Sequence, residues 1–245
     1  SHDIVAHELG HAILDNFRPL YLYSSDIDTA ALHESFGDLL AMFSALEHPQ
    51  IVKRLLDETK GDLRSNNVVA NLAEQFGVGL SGSSYPYLRS ATQGIKEYRE
   101  TEPIEPHDRS TIWTSAIYEV LIRFAETKIR PRGGKLSETN LTDAIHWLKS
   151  MLFRAFHYMP PTGVTMPLLS QLMLKTDEIV FGKDDRLRKI AFDVFKSWGL
   201  LKFETDFRAP DVGQSFKSIQ YNGPQALARM VMKHADELKV PRGLG

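Results

Sequence analysis

Residues 2–16, HDIVAHELGHAILDN, and residues 30–47, AALHESFGDLLAMFSALE, decide how the chain folds. In the first, Ile4, Val5, Leu9, Ala12 and Ile13 recur at the spacing of an amphipathic helix. In the second, Leu32, Phe36, Leu39, Leu40 and Phe43 repeat the pattern. The same rhythm continues outward. Pro49 is placed to open a third helix carrying Ile51, Val52, Leu55 and Leu56. Residues 109–127 form another amphipathic segment, with Ser110 as its expected N-cap. Further helices are expected over 138–158, 166–181, 185–198 and 224–238, the last opened by Pro224. Convincing alternating strands are absent. The expected fold class is mainly α. A lobe over 1–202 should be followed by a C-terminal extension over 203–245, because the periodicity lapses around Pro210 and Gly213.

The chain has 245 residues, 42% of them hydrophobic and 24% charged, enough for one substantial core or a large lobe of a bigger protein. A formal net charge of −2 gives no concentrated basic surface, so a nucleic-acid partner is not expected. The one basic run, Lys128 to Lys135, carries Pro131, Gly133 and Gly134 and reads as a solvated loop. No apolar run reaches the roughly 20 residues that span a bilayer, so no membrane partner is expected either. There is no cysteine. Disulfides, thiolate ligands and a cysteine nucleophile are therefore excluded, and any metal site must draw on His, Asp and Glu. The stretch from Gly77 to Pro106 interrupts the helices, and long loops within compact domains are commonly functional.

Within the first helix, His7-Glu8-Leu9-Gly10-His11 is an H-E-x-x-H motif. Residues four apart lie one turn above each other, so both imidazoles can reach one cation. Glu8 projects beside them, able to touch a metal-bound water without ligating the metal. With 9 histidines and 15 glutamates in the chain, chance yields roughly 0.02 such motifs. Burial is expected from Ile4, Val5, Ala6, Ala12 and Ile13, and two buried histidines with an acid would be costly without a partner. Tetrahedral zinc with one open position needs a third protein ligand. The next helix offers Glu34, 23 residues after His11. Asp38 lies one turn further on the same face, placed to accept a hydrogen bond from a ligand imidazole.

H-E-x-x-H followed by E-x-x-x-D resembles the gluzincin zinc metallopeptidases, in their thermolysin-like and fungalysin-like branches. Asp3-Ile4-Val5-Ala6-His7 is similar to the run leading into the first ligand. Tyr87-Leu88-Arg89-Ser90 looks like the family's L-R-S segment, whose Arg holds a substrate carbonyl, so the resemblance implies that role for Arg89. His107, followed by Ile112-Trp113 and Tyr118-Glu119-Val120, resembles the segment bearing the histidine that stabilises the transition state. Met159-Pro160-Pro161-Thr162, Asp177, Phe181-Gly182 and Phe195 to Leu200 look like the closing helices of the same lobe. The resemblance covers roughly residues 1–202.

The resemblance implies zinc-dependent hydrolysis of peptide bonds in a peptide or protein substrate by an endopeptidase, and it favours an extracellular location, which the sequence itself does not fix. His7, His11 and Glu34 would hold the ion. Glu8 would be the general base, and His107 with Tyr21 or Tyr23 would steady the oxyanion. Glu102 or Glu105 could pair with His107. The family also places a β-rich lobe before the metal helix, which this chain does not contain, so that lobe is an expected partner. Asp3 fits one position of a family calcium site, but Ala45 stands where another acid is expected, leaving calcium doubtful. The alternative is a non-enzymatic or inactive zinc-binding helical module. A gluzincin aminopeptidase ranks below both, because no Gly-x-Met-Glu-Asn-like segment is found. His2, His33, His48 and His234 read as surface or terminal residues, and His146 and His157, among Trp147, Phe153, Phe156 and Tyr158, as packed or edge histidines.

Overall fold

The computed structural model describes residues 2–72, 89–99, 105–127, 135–181 and 185–202. By internal contact the chain divides into two compact units, Ser1–Arg208 and Ala209–Gly245, and the described residues all belong to the first. The expected boundary at 202/203, the helix over 224–238, most of the basic run and most of the Gly77–Pro106 stretch lie outside the described residues.

The described part is mainly helical. In chain order it comprises α1 (His2–Phe17), α2 (Ile27–Leu46), α3 (Pro49–Thr59), β1 (Asn71–Leu72), β2 (Arg89–Ser90), α4 (Pro106–Thr127), α5 (Glu138–Tyr158), α6 (Met166–Phe181) and α7 (Arg186–Ser197). The two short strands pair antiparallel, Asn71 with Ser90 and Leu72 with Arg89. Local chemistry sets several boundaries. Asp26 caps α2 by accepting hydrogen bonds from the backbone N–H of Asp28 and Thr29, at 2.9 and 3.1 Å. Pro49 occupies the first turn of α3, where its missing N–H costs nothing. Ser137 and Asn140 cap α5 reciprocally. One expectation is corrected. The fourth helix begins at Pro106, not after Ser110, whose hydroxyl lies within the helix and donates to the His107 carbonyl at 2.6 Å.

Two helices form the centre. α2 buries 14 of its 20 residues and α4 buries 15 of its 22, so neither has a solvent face of ordinary width. Polar side chains buried between them are paired: Ser35 Oγ lies 2.8 Å from Thr114 Oγ1. Phe36 packs edge-on against Phe17, Phe153 and Phe156, tying α1, α2 and α5 together. Trp113 stacks on Phe195 at 5.3 Å, joining α4 to α7. Where α4 starts, the fully buried Arg109 donates from Nε to Asp28 Oδ1 at 2.6 Å. Asp28 also accepts from the Tyr98 hydroxyl at 2.7 Å and from the Met166 N–H at 3.1 Å. These hydrogen bonds offset part of the cost of burying the charge pair. It pins the N-terminal end of α4, and with it His107, to α2.

The orientation of α1 differs from expectation. The row turned inward is Ala6, Gly10 and Leu14, all buried. The larger residues Val5, Leu9 and Ile13 are 69%, 55% and 39% exposed. Helix α1 thus carries two apolar rows. The small one is selected because it lets α1 approach α2 closely. A Cβ added to Gly10 would stand 2.8 Å from the Gly37 Cα. Among the described residues, no helix is long and apolar enough to cross a membrane.

Candidate metal centre

The glycine-on-glycine crossing of α1 and α2 sets the site. It brings the face of α1 bearing His7 and His11 over the face of α2 bearing Glu34 and Asp38. His7 Nε2 lies 2.9 Å from His11 Nε2. Glu34 Oε2 is 3.5 Å from His7 Nε2, and Glu34 Oε1 is 3.6 Å from His11 Nε2. These three residues form the one His/Asp/Glu group among the described residues whose donor atoms all lie within 4.8 Å of one another.

The separations can be compared with a real ion. Zinc–nitrogen bonds of about 2.0–2.1 Å at tetrahedral angles place donor atoms about 3.3–3.4 Å apart. The distances of 2.9, 3.5 and 3.6 Å bracket that value. Two neutral nitrogens and one carboxylate are also a donor set that zinc accepts, so the residues present fit the ion.

The surroundings favour that set. Asp38 is 1% exposed, and its Oδ1 lies 3.0 Å from His7 Nδ1. A proton held on Nδ1 by this contact leaves the Nε2 lone pair facing the cluster. Burial lowers the pKa of His11, outweighing the field of Glu34, so its ring favours the neutral form that binds a metal. For Glu34, burial pushes the carboxyl up. The hydrogen bond with His7 and the positive fields of His107, His11 and His7 outweigh it and hold the group down at about 2.

The other expected residues fall unevenly around this centre. Glu8 is exposed and outside the donor group, on the same turn of α1 as His7. His107, at the start of α4, places Nε2 3.4 Å from Glu34 Oε2, while its Nδ1 lies 2.5 Å from Glu105 Oε1. Of the two acids considered for His107, Glu105 is therefore the one seen beside it; Glu102 lies outside the described residues. Tyr21 is in the core, and its hydroxyl donates to the Pro160 carbonyl at 2.6 Å. Burial pushes that hydroxyl up to about 12. Tyr23 is 81% exposed. The backbone of Arg89 sits in β2, but its side chain lies outside the described residues, and Asp3 joins no second cluster among them.

Three features escape a reading of the sequence. His33 is not a surface residue: it is 7% exposed and stacks on His11. The adjacency of His33 to Glu34 is the available signal. Gly10 and Gly37 are mid-helix glycines, each costing about 1 kcal/mol relative to alanine, which hints at a packing reason. A Cβ at Gly37 would meet His7 Nδ1 and Cε1 at 2.8 Å. Gly37→Ala should therefore push the His7 ring off Asp38 or part the helices. Zinc affinity is expected to fall at least ~10-fold, the loss typical of an outer-shell partner, despite the better helix former. A chelator-competition titration reads this directly, and undiminished affinity would show that the close crossing does not orient His7.

No family model, no curated protein and no solved structure matches the chain.

Proposed function

We propose that this chain is the zinc-holding helical half of a gluzincin-type metallopeptidase, thermolysin-like or fungalysin-like, cleaving peptide bonds as an endopeptidase. The observation that carries the reading is the convergence of His7, His11 and Glu34 with Glu8 left outside the donor set. Three protein donors leave tetrahedral zinc one open position, as catalytic sites do, whereas structural sites close with four. An acid beside an open position has a use there that a purely structural site would not give it.

When bound, zinc supplies Lewis acidity and brings the pKa of a water from 15.7 towards about 7. The chain's own residues perform the remaining work. Glu8 takes the proton of the attacking water and passes it to the leaving amine. His107, held at Nδ1 by Glu105, turns Nε2 to the edge of the cluster and donates to the oxygen that gains charge. The Tyr21 hydroxyl is engaged by Pro160, which leaves Tyr23, exposed in the loop after α1, as the tyrosine for the same task. Arg89 is assigned the substrate carbonyl on the resemblance of its segment alone.

The outward row Val5, Leu9 and Ile13, continued by Leu20, Leu22 and Tyr23, supports a cleft with a second wall. An N-terminal lobe of the same protein would supply that wall.

The test is hydrolysis of a quenched peptide by the full-length protein, with and without chelator. Activity should vanish on chelation and return with zinc. Zinc retention should fail on acidification as His11 takes a proton, at a pH below its ordinary 6.5 because burial disfavours the charged ring. Hydrolysis that survives complete metal removal would refute the proposal; zinc held tightly without hydrolysis would favour the non-enzymatic module.

A further inference from the structure

The two ligand histidines are held differently. His7 is oriented through Nδ1 by Asp38. His11 Nδ1 is buried and has no hydrogen-bond partner among the described residues. Nothing at that nitrogen sets the plane of the ring, although the ring must aim Nε2 at the cluster. A second ring does the task instead. His33 lies flat on His11, with centroids 4.5 Å apart and planes 7° from parallel. This is the near end of the range for stacked rings. His33 is itself fixed, its Nε2 lying 2.7 Å from Asp15 Oδ1. Asp15 stands one turn beyond His11 on α1. Helix α1 therefore presents His7, His11 and Asp15 at successive turns, and the α2 residue His33 is clasped between the last two.

We propose that His33, oriented by Asp15, is a positioning residue that sets the ring plane of His11 by stacking. A flat, anchored neighbour blocks rotation of the His11 ring about its Cβ–Cγ bond. The free site is then preorganised, and less is lost to ordering when an ion arrives. The proposal rests on the metal-site reading above. It is specific to the ligand that lacks an acceptor at its second nitrogen, and it assigns the His33 ring a role beyond joining two helices.

The experiment compares the intact chain with His33→Ala and His33→Phe. Zinc affinity is measured by competition with a chromophoric chelator, ligand geometry by the visible spectrum of the cobalt-substituted protein, and thermal unfolding on the metal-free protein. His33→Ala should weaken zinc about ten-fold, the low end for an outer-shell partner, and alter the cobalt spectrum. His33→Phe keeps a flat ring of similar volume, held in the same buried site by packing in place of the bond to Asp15, and should recover affinity to within about three-fold of the parent. Unchanged affinity and spectrum in His33→Ala would overturn the proposal and leave the metal site standing. So would His33→Phe binding as weakly as His33→Ala, since stacking would then not be what acts. If His33→Ala does not fold, His33→Phe decides alone: near-parental affinity upholds the proposal, and a ten-fold loss overturns it. A parent chain that takes up no zinc would instead refute the metal-site reading itself.

Discussion

If the proposed reading holds, the Glu8→Gln variant should keep its zinc and lose peptide hydrolysis by about 10²–10⁴-fold, the usual worth of a positioned general base. The side chain is exposed and stands outside the group of donor atoms, so the amide should not disturb His7, His11 or Glu34. Glutamine is nearly isosteric with glutamate and differs in having no proton-accepting carboxylate at neutral pH. Metal retention with lost turnover thus separates proton transfer from ion binding. Activity is read with a quenched peptide on the full-length protein, and metal content by elemental analysis of the same sample. A variant that still cleaves at the parental rate would remove Glu8 from the mechanism.

Glu34→Ala should act on ion binding itself. The carboxylate is the one contribution of α2 to the donor set, and its oxygens lie 3.5, 3.6 and 3.4 Å from the Nε2 atoms of His7, His11 and His107. Its removal leaves two imidazoles on one helix, a bidentate site with no negative charge among its ligands. Zinc affinity should fall more than ~100-fold, beyond the range for losing a mere outer-shell contact. Chelator competition measures it. The fold should survive, because Glu34 is only partly buried while the neighbouring Phe36, Leu32 and Leu39 carry the α2 core.

Legibility in the sequence depends on whether a feature is local. The helices over 138–158 and 166–181 are readable because a 3.6-residue period and a proline or capping residue specify them within a few neighbouring positions. The contact of His7 with Asp38 is readable because H-E-x-x-H and E-x-x-x-D each fix one helix face. Which face of α1 turns inward is not. Ala6, Gly10 and Leu14 form a weaker apolar row than Val5, Leu9 and Ile13, and periodicity favours the stronger. What decides is the shape of the partner: Gly37 opposes Gly10, and only the small row permits that approach. Burial of His33 has the same origin, since it depends on Asp15 arriving from the other helix. Arg109 reads as part of an amphipathic segment. Its burial depends on Asp28, 81 residues away in sequence, and no local pattern encodes that pairing.

Zinc-edge X-ray absorption of the zinc-loaded chain tests the central claim most directly. Two imidazole nitrogens, with the remaining donors oxygen, at about 2.0–2.2 Å are predicted, and Glu34→Ala should lose that signature. A spectrum with fewer than two imidazoles, or one unchanged when Glu34 is replaced, would contradict the convergence of α1 and α2 on a single ion.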